Sequence, residues 1–397
     1  MPELALRSIV ENAADQIIDL ARRTLQAPSL SGQEQQVADL VLAEMQALGY
    51  DEVSRDAVGN VVGLIRGQGG NVTLLHSHMD VVDPGDPAVW SHAPFAGDMA
   101  DGYLWGRGAS DDKGSLVAQV YAAGLLRQAG LRPAGDVYVA AVVGEEMGGV
   151  GTRHLLQTLR ADIAIIGEPS GNTLRKGHRG RFEFTVTWQG RSAHASAPHK
   201  GLNPHYSAAR FLLALRDLPR ATNPIFGDTT IVPTLSYVDQ TSSNVIPSRL
   251  TLHLDWRNAP QETVEEACAL LQRTLDQTLE PGIQATVQVD RGTLNTYPGL
   301  AREFEHCIPS FATEEDNPYL VRASQLLVDA LARVVPVDIW RFATDGGHLA
   351  EHGIPCIGFG PGDEYMAHVV DERLAIGQLL EATTGYMALA LGLGRDQ

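Results

Sequence analysis

The chain of 397 residues is long enough for two domains, or for one large domain with an insertion, and its 44% hydrophobic content permits an ordinary globular core. Its formal net charge of -18 argues against a nucleic-acid partner, whose phosphates require a basic face, and against binding to an anionic membrane surface. Three widely spaced cysteines and an N-terminal segment without a long apolar run predict a cytoplasmic protein that has neither a disulfide framework nor a membrane span.

The first part of the chain alternates predicted helices with predicted strands. Apolar residues at helical spacing predict helices over 8–26, 33–48, 115–128 and 151–159, and apolar runs predict strands over 60–65, 71–75, 136–143 and 162–166. This alternation predicts an α/β fold with a mostly parallel sheet flanked by helices. In such sheets ligands gather at the carboxyl ends of the strands.

Polar side chains follow several of these strands at the point where each strand ends. The first group is His78-Met-Asp80, in which residues two apart share one face of the strand. A carboxylate beside an imidazole is a common way to orient a metal-binding histidine, although a histidine at a strand end can also be purely structural. Further polar groups at strand ends are Asp111-Asp112, Glu145-Glu146 and Glu168, to which His368 is added from a loop near the C-terminus.

So many carboxylates cannot share one cleft without cations, because like charges at close range are costly. Histidine and carboxylate ligands without cysteine suit zinc, cobalt or manganese, and this number of ligands allows two metal ions. In the adjacent pair Glu145-Glu146, one carboxylate could bind metal while the other serves as a general base. The alternative for such a pair is a solvated acidic loop.

The pattern changes near Gly180. Residues 181–188 alternate like a strand with one wet face. Further strands are predicted over 230–238, 249–256 and 284–289, with helices over 204–218 and 260–279, which together indicate an inserted α+β segment. The α/β pattern then resumes with a helix over 319–334, a strand over 356–359 and a helix over 374–391. The predicted domains are therefore 1–179 and 293–397, which form one catalytic layer, and 180–292.

Taken together, these motifs resemble the co-catalytic zinc amidohydrolases, a family that includes acetylornithine deacetylase, succinyl-diaminopimelate desuccinylase, aminoacylase-1 and carboxypeptidase G. The resemblance extends over nearly the whole chain. It rests on His-Ser-His78-Met-Asp80, Gly-Arg-Gly-Ala-Ser-Asp111-Asp112-Lys-Gly, Gly-Glu145-Glu146, Ile-Gly-Glu168-Pro-Ser and the late His368. It implies a zinc-peptidase-like catalytic domain, and it makes 180–292 a lid and dimerisation domain.

The resemblance also implies two Zn²⁺ ions, for which Co²⁺ or Mn²⁺ could substitute, and five ligands for them: His78, Asp111, Glu146, Glu168 and His368. Asp111 would bridge the two ions, with His78 and Glu168 completing one site. Glu146 and His368 would complete the other. The peptide bond between Asp111 and Asp112 is expected to be cis.

Two further residues receive catalytic roles from the resemblance. Asp80 would orient His78, and Glu145 would act as general base and acid towards a water that bridges the metals. A third catalytic role falls on His194, which in the family reaches the active site of the partner subunit of a homodimer. Substrate-binding roles fall on Arg179, Asn244, Arg257 and Thr344.

These assignments favour a hydrolase that cleaves the amide bond of an N-acyl amino acid, of the deacetylase or desuccinylase type. A dipeptidase or carboxypeptidase acting on a short peptide is the alternative within the same chemistry. A third hypothesis is a metal-free binding protein on the same scaffold, because a fold does not determine a function. The presence of all five presumed ligands together with Glu145 argues against this third hypothesis.

Overall fold

The computed structural model describes residues 2–395. Its contacts divide the chain into two compact units. The larger unit is formed by residues up to 178, by 293–304 and by the residues from 311 onward, and the smaller unit by 179–292 and 305–310. Among the described residues, no helix combines the length and the apolar character needed to cross a membrane.

The structure contains ten α-helices within the described residues. In chain order they are α1 Pro2–Asn12, α2 Ala14–Gln26, α3 Gln35–Ala47, α4 Gly114–Gln128, α5 Val150–Leu155, α6 Pro204–Arg216, α7 Val264–Thr278, α8 Pro318–Leu331, α9 Gly346–Glu351 and α10 Ile376–Gly392.

The strands are numbered in the same way. They are β1 Glu52–Arg55, β2 Val61–Ile65, β3 Gly70–His78, β4 Asp98–Ala100, β5 Tyr103–Trp105, β6 Gly135–Val142, β7 Ile163–Ile166, β8 Leu174–His178, β9 Arg181–Gln189, β10 Ala193–His194, β11 Thr222–Asn223, β12 Gly227–Asp228, β13 Thr230–Val238, β14 Val245–Ile246, β15 Arg249–Arg257, β16 Gln284–Val289, β17 Arg291–Asn295, β18 Ala301–Glu305, β19 Cys307–Ile308, β20 Phe311–Ala312, β21 Val337–Trp340, β22 Cys356–Gly358 and β23 Arg373–Ala375.

The larger unit is built on a mixed sheet with the strand order β1-β2-β6-β3-β7-β22-β8-β20, in which β21 also pairs with β8. The core strands β6, β3, β7 and β22 run parallel to one another, whereas β1, β2 and β20 pair antiparallel with their neighbours. The predicted α/β fold with a parallel sheet is therefore confirmed for the core. The pairs at both flanks are antiparallel, and the sequence pattern does not indicate the direction in which a strand runs.

Helices α4 and α10 pack together within the main hydrophobic core of the larger unit. Every residue of α4 from Gly114 to Leu126 is buried, and this stretch carries no charged side chain. In α10, Gly385 lies against the ring of Phe359, where an added Cβ would be 2.6 Å from a ring carbon. This close approach packs α10 against the residue that directly follows β22.

The smaller unit is an antiparallel sheet with the strand order β13-β15-β9-β16, which β19 joins beside β9. On β9, every second side chain from Phe182 to Trp188 is buried against helices α6 and α7, and the intervening side chains lie on the open face. This strict alternation matches the inserted α+β segment predicted from the sequence.

The core of the smaller unit offers a stability test. Phe211 on α6 is fully buried and packs edge-to-face on Trp188, with ring centroids 5.5 Å apart. We expect Phe211→Ala to lower the free energy of unfolding by about 3–5 kcal/mol, because it removes buried surface and leaves a cavity. Leu213→Ala, on the exposed side of the same helix, should change it by less than about 0.5 kcal/mol. Urea unfolding followed by circular dichroism measures both, and a similar loss in the two variants would contradict the assigned core.

Several elements differ from the sequence-based expectation. The single helix predicted over 8–26 is two helices, α1 and α2, separated at Ala13. Helix α8 ends at Leu331, three residues earlier than predicted, because Ala332 takes a left-handed conformation with φ of 53°. The hairpin β17–β18 and the strand β8 were not predicted, since neither carries a clear apolar alternation.

Candidate metal centre

The carboxyl ends of three neighbouring parallel strands bring the predicted ligands to one edge of the sheet. Strand β3 ends at His78, which lies in register with Val142 at the end of β6. Glu145 and Glu146 follow β6, and Glu168 follows β7 on the other side of β3. The sheet itself therefore places an imidazole between carboxylates from the two strands beside it.

The remaining predicted ligands come from two loops of the larger unit. Asp111 lies in the turn Ala109–Lys113 that precedes α4, where its own backbone angles are not helical, and the Asp111–Asp112 peptide bond is cis, as predicted. His368 follows the 3₁₀ turn Glu364–Met366. Both loops reach the same edge of the sheet as His78.

The carboxylate of Asp111 lies between two imidazoles. Its Oδ1 is 2.9 Å from Nε2 of His78, and its Oδ2 is 3.2 Å from Nε2 of His368. His368 Nε2 is also 2.9 Å from Glu146 Oε1, while His78 Nε2 is 3.7 Å from Glu168 Oε1. The candidate ligand atoms thus lie close together around the carboxylate of Asp111.

The donor set fits divalent cations. Ligand atoms of His78, Asp111 and Glu146 all lie within 4.8 Å of one another, and so do those of His78, Asp112 and Glu168. Nitrogen and carboxylate oxygen without thiolate suit zinc, cobalt or manganese. The Oδ2 atom of Asp112 also accepts a hydrogen bond from the backbone N–H of His78 at 3.2 Å.

The directions of the pKa shifts indicate that this cluster favours a bound positive charge. Burial raises the pKa values of Glu145 and Glu168 well above their usual range, and neighbouring carboxylates add to the rise. Hydrogen bonds to Asp111 and Glu146 raise the pKa of His368 to about 10. A site whose buried carboxylates favour the protonated form is electrostatically suited to metal ions.

Hydrogen bonding at Nδ1 fixes the orientation of the His78 ring. Its Nδ1 donates a hydrogen bond to the backbone carbonyl of Asp80 at 2.9 Å, which leaves Nε2 directed at Asp111. The carboxylate of Asp80 lies 3.5 Å from the same Nδ1. It accepts hydrogen bonds from the backbone N–H groups of Glu145 and Glu146 at 3.0 and 3.2 Å, so Asp80 ties the His78 strand to the turn that carries the candidate base.

Two buried acidic residues beside the site were missed by the sequence reasoning, Glu34 and Glu372. Glu34 Oε1 accepts hydrogen bonds from the backbone N–H groups of Gly32 and Gly144, and burial raises its pKa to about 7, with the charge of Asp80 adding to the rise. Glu372 accepts from Ser110 and Asp111. Gly144 lies 110 residues from Glu34, and Ser110 lies 262 residues from Glu372, so no local pattern identifies these contacts.

Four residues assigned to substrate or catalysis belong to the smaller unit. His194 on β10 is exposed and pairs with Val245 on β14, and the adjoining Ala195 N–H donates to the carbonyl of Asn244 at 2.8 Å, so these two candidates share one short ribbon. Arg179 donates to the carbonyl of Asp228 at 3.0 Å. The guanidinium of Arg257 is bound to Asp255 through two hydrogen bonds of 2.7 and 3.1 Å.

Thr344, the remaining candidate, lies in the larger unit just before α9. Its side chain is fully buried, and its hydroxyl accepts a hydrogen bond from the N–H of Gly346 at 3.1 Å. Its own N–H donates to Nε2 of His178 at 3.1 Å. In this conformation the two hydrogen bonds of Thr344 stabilise the loop that precedes α9.

Comparisons with known proteins give matches over most of the chain. The sequence model of peptidase family M20/M25/M40 matches residues 74–392. The protein YgeY of Escherichia coli (strain K12) is 30% identical, over 98% of this chain and 98% of its own. A succinyl-diaminopimelate desuccinylase of Paracoccus denitrificans is 28% identical, over 92% of this chain and 95% of its own.

Solved structures share the fold. The aminopeptidase PepT of Bacillus cereus superposes with a TM-score of 0.75 at 20% identity and covers 95% of this chain and 98% of its own. The YXEP protein of Bacillus subtilis, described as a dinuclear metal-binding peptidase, superposes with a TM-score of 0.72 at 17% identity over 96% of this chain and 98% of its own. At these identities the superpositions establish the fold alone.

Proposed function

The chain belongs to peptidase family M20/M25/M40, and from that premise we propose that this metal-dependent hydrolase cleaves the amide bond of an N-acyl amino acid. The observation that carries the proposal is Asp111, whose two carboxylate oxygens face the imidazoles of His78 and His368 beside the buried Glu145. The desuccinylase among the relatives acts, by its name, on an N-acyl diamino acid, which supports this substrate class.

We propose two metal ions: His78 and Glu168 would hold one, Glu146 and His368 would hold the other, and Asp111 would serve as a ligand to both. When bound, such ions polarise the scissile carbonyl and make a nearby water more acidic. Zn²⁺ is the proposed ion, with Co²⁺ or Mn²⁺ as substitutes, because the donors are imidazole nitrogen and carboxylate oxygen. The dinuclear relative from Bacillus subtilis supports the count of two.

Glu145 is the proposed acceptor and donor of the proton that moves from water to the leaving nitrogen. Its carboxylate would take a proton from the water that adds to the carbonyl carbon, and would then deliver it to the amide nitrogen as the C–N bond breaks. The products are a carboxylic acid and a free amine, and no covalent enzyme intermediate is needed. Asp80 supports this step by holding the backbone N–H of Glu145 at 3.0 Å, which limits where the base can move.

For substrate binding we propose Arg179, His194, Asn244 and Arg257 of the smaller unit, together with Thr344. An arginine side chain suits the carboxylate of an N-acyl amino acid, since its planar fork makes two parallel hydrogen bonds. Arg257 must first exchange its partner, because Asp255 holds its guanidinium. His194 would stabilise the developing oxyanion.

A panel of substrates tests the proposed activity. Protein loaded with zinc or cobalt is incubated with N-acetyl, N-formyl and N-succinyl amino acids and with dipeptides, and amine release is measured. Release from the N-acyl amino acids alone is the expected result. Release from the dipeptides alone would favour the dipeptidase or carboxypeptidase alternative, and protein that binds no metal after reconstitution would overturn the proposal.

We further propose that the chain forms a homodimer through the smaller unit, which would act as a lid and dimerisation domain. Strand β13 lies at the edge of its sheet and exposes about half of the Val232, Leu235 and Tyr237 side chains. An edge strand with exposed apolar residues is a ready site for pairing with a second copy.

Light scattering after size-exclusion chromatography tests this dimer. The wild-type chain should elute with twice the 42.7 kDa mass of one chain, and Leu235→Lys should yield monomers. A wild-type monomer would contradict the proposal.

Cytoplasmic localisation also stays a proposal, and it is supported by three cysteines that form no disulfide.

A further inference from the structure

A buried ion pair lies beneath the loops that carry Asp111 and His368. Arg107 Nη1 is 2.6 Å from Glu372 Oε2, and both side chains are almost completely excluded from solvent. The guanidinium also lies over the ring of Trp90, 5.2 Å from its centroid. Burying an ion pair costs desolvation energy, so such a pair is weak evidence for stability on its own.

The second oxygen of Glu372 binds the backbone of the proposed bridging ligand. Oε1 accepts hydrogen bonds from the N–H groups of Ser110 at 2.9 Å and Asp111 at 3.0 Å. Two N–H groups on one carboxylate oxygen fix the direction in which this turn presents the Asp111 side chain. Hydrogen bonds to an ionised carboxylate are among the stronger ones in proteins.

Arg107 extends the connection to the other loop. The same Nη1 that binds Glu372 donates to the carbonyl of Val369 at 3.2 Å, and Val369 directly follows His368. The chain of contacts therefore runs from Asp111 through Glu372 and Arg107 to the residue after His368. These are the two ligands whose side chains meet at 3.2 Å.

We propose that Glu372 and Arg107 are positioning residues that set the separation of Asp111 and His368 and thereby the affinity of the metal site they share. The inference rests on the proposed two-metal function. The hydrogen bonds that Glu372 and Arg107 make to these two loops go to backbone groups, so both residues would act through the backbone. A pair that served only the stability of the fold would affect unfolding and leave metal affinity unchanged.

The experiment measures Zn²⁺ and Co²⁺ binding by titration calorimetry, together with the visible spectrum of the Co²⁺ protein and the midpoint of thermal unfolding. We expect Glu372→Ala and Arg107→Ala to weaken the weaker of the two metal sites about 10- to 100-fold, as loss of an outer partner of a ligand does elsewhere, and to alter the Co²⁺ spectrum. Glu372→Gln keeps an acceptor oxygen for the two N–H groups and should recover part of the affinity.

Glu44→Ala is the matched control. Glu44 accepts hydrogen bonds from Arg23 at 2.9 Å and from the hydroxyl of Tyr121 at 2.6 Å, and these three residues lie on α3, α2 and α4. This variant should lower the unfolding midpoint while both metal affinities stay within twofold of the wild type.

Two results would overturn the inference, and they are distinguishable. If the wild type binds two ions and the variants at Glu372 and Arg107 bind them with unchanged affinity and spectrum, the pair is only structural and the proposed function stands. If the wild type binds no metal, the proposed function fails and the inference fails with it. Should Glu372→Ala not fold, Glu372→Gln and Arg107→Lys carry the same measurement.

Discussion

We expect Glu145→Gln to lower kcat on the best N-acyl substrate by about 10²–10⁴-fold and to leave the proposed metal ions bound. The amide has nearly the same shape as the carboxylate, but it cannot accept a proton from water or deliver one to the leaving nitrogen. The backbone N–H of residue 145 keeps its hydrogen bond to Asp80, because that contact does not involve the side chain. The turn that carries Glu146 is therefore expected to stay in place.

Glu146→Gln separates proton transfer from metal binding. Its side chain lies 2.9 Å from Nε2 of His368, so it is a proposed ligand, whereas Glu145 is the proposed base on the neighbouring residue. Steady-state kinetics and metal analysis of both variants should therefore give different results: full metal content in Glu145→Gln and reduced content in Glu146→Gln. Wild-type kcat in metal-loaded Glu145→Gln would rule out this residue as the general base.

The parts of the fold and site that follow a local rule could be predicted. Apolar strands followed at once by polar residues indicated the ends of β3, β6 and β7, and parallel pairing puts those ends at one edge. His78 and Glu168 are therefore neighbours for a reason that is visible in the sequence. His368 lies on a loop and was placed by resemblance to a family, not by periodicity.

The residues that could not be predicted have partners far away in the chain. Glu372 binds the N–H of Ser110, 262 residues earlier, and nothing near either residue signals this contact. The proposed substrate-binding residues show a second limit of prediction from sequence. The sequence places Thr344 in a glycine-rich loop, but only the structure shows that its hydroxyl accepts a hydrogen bond from the N–H of Gly346.

Replacing Asp111 should have the second large effect, because its carboxylate would serve both proposed metal sites. In Asp111→Asn the side chain keeps its shape, but a neutral amide is a poor ligand and its NH₂ group would face one of the two imidazoles. We expect metal affinity to fall by more than the roughly 10- to 100-fold typical for loss of an outer partner, and amine release to fall below detection.

Thermal unfolding gives a readout of Asp111→Asn that does not depend on activity. A ligand that binds only the folded state stabilises it by about 2.7–4.1 kcal/mol when its free concentration is roughly 100–1,000 times Kd. Wild-type protein should therefore unfold at a higher temperature with Zn²⁺ than after chelation, and Asp111→Asn should lose most of this difference. The isosteric control Asp329→Asn, at an exposed position on α8, should keep it. A metal-dependent shift of wild-type size in Asp111→Asn would show that the ions bind elsewhere, since a site centred on this carboxylate cannot form without its charge.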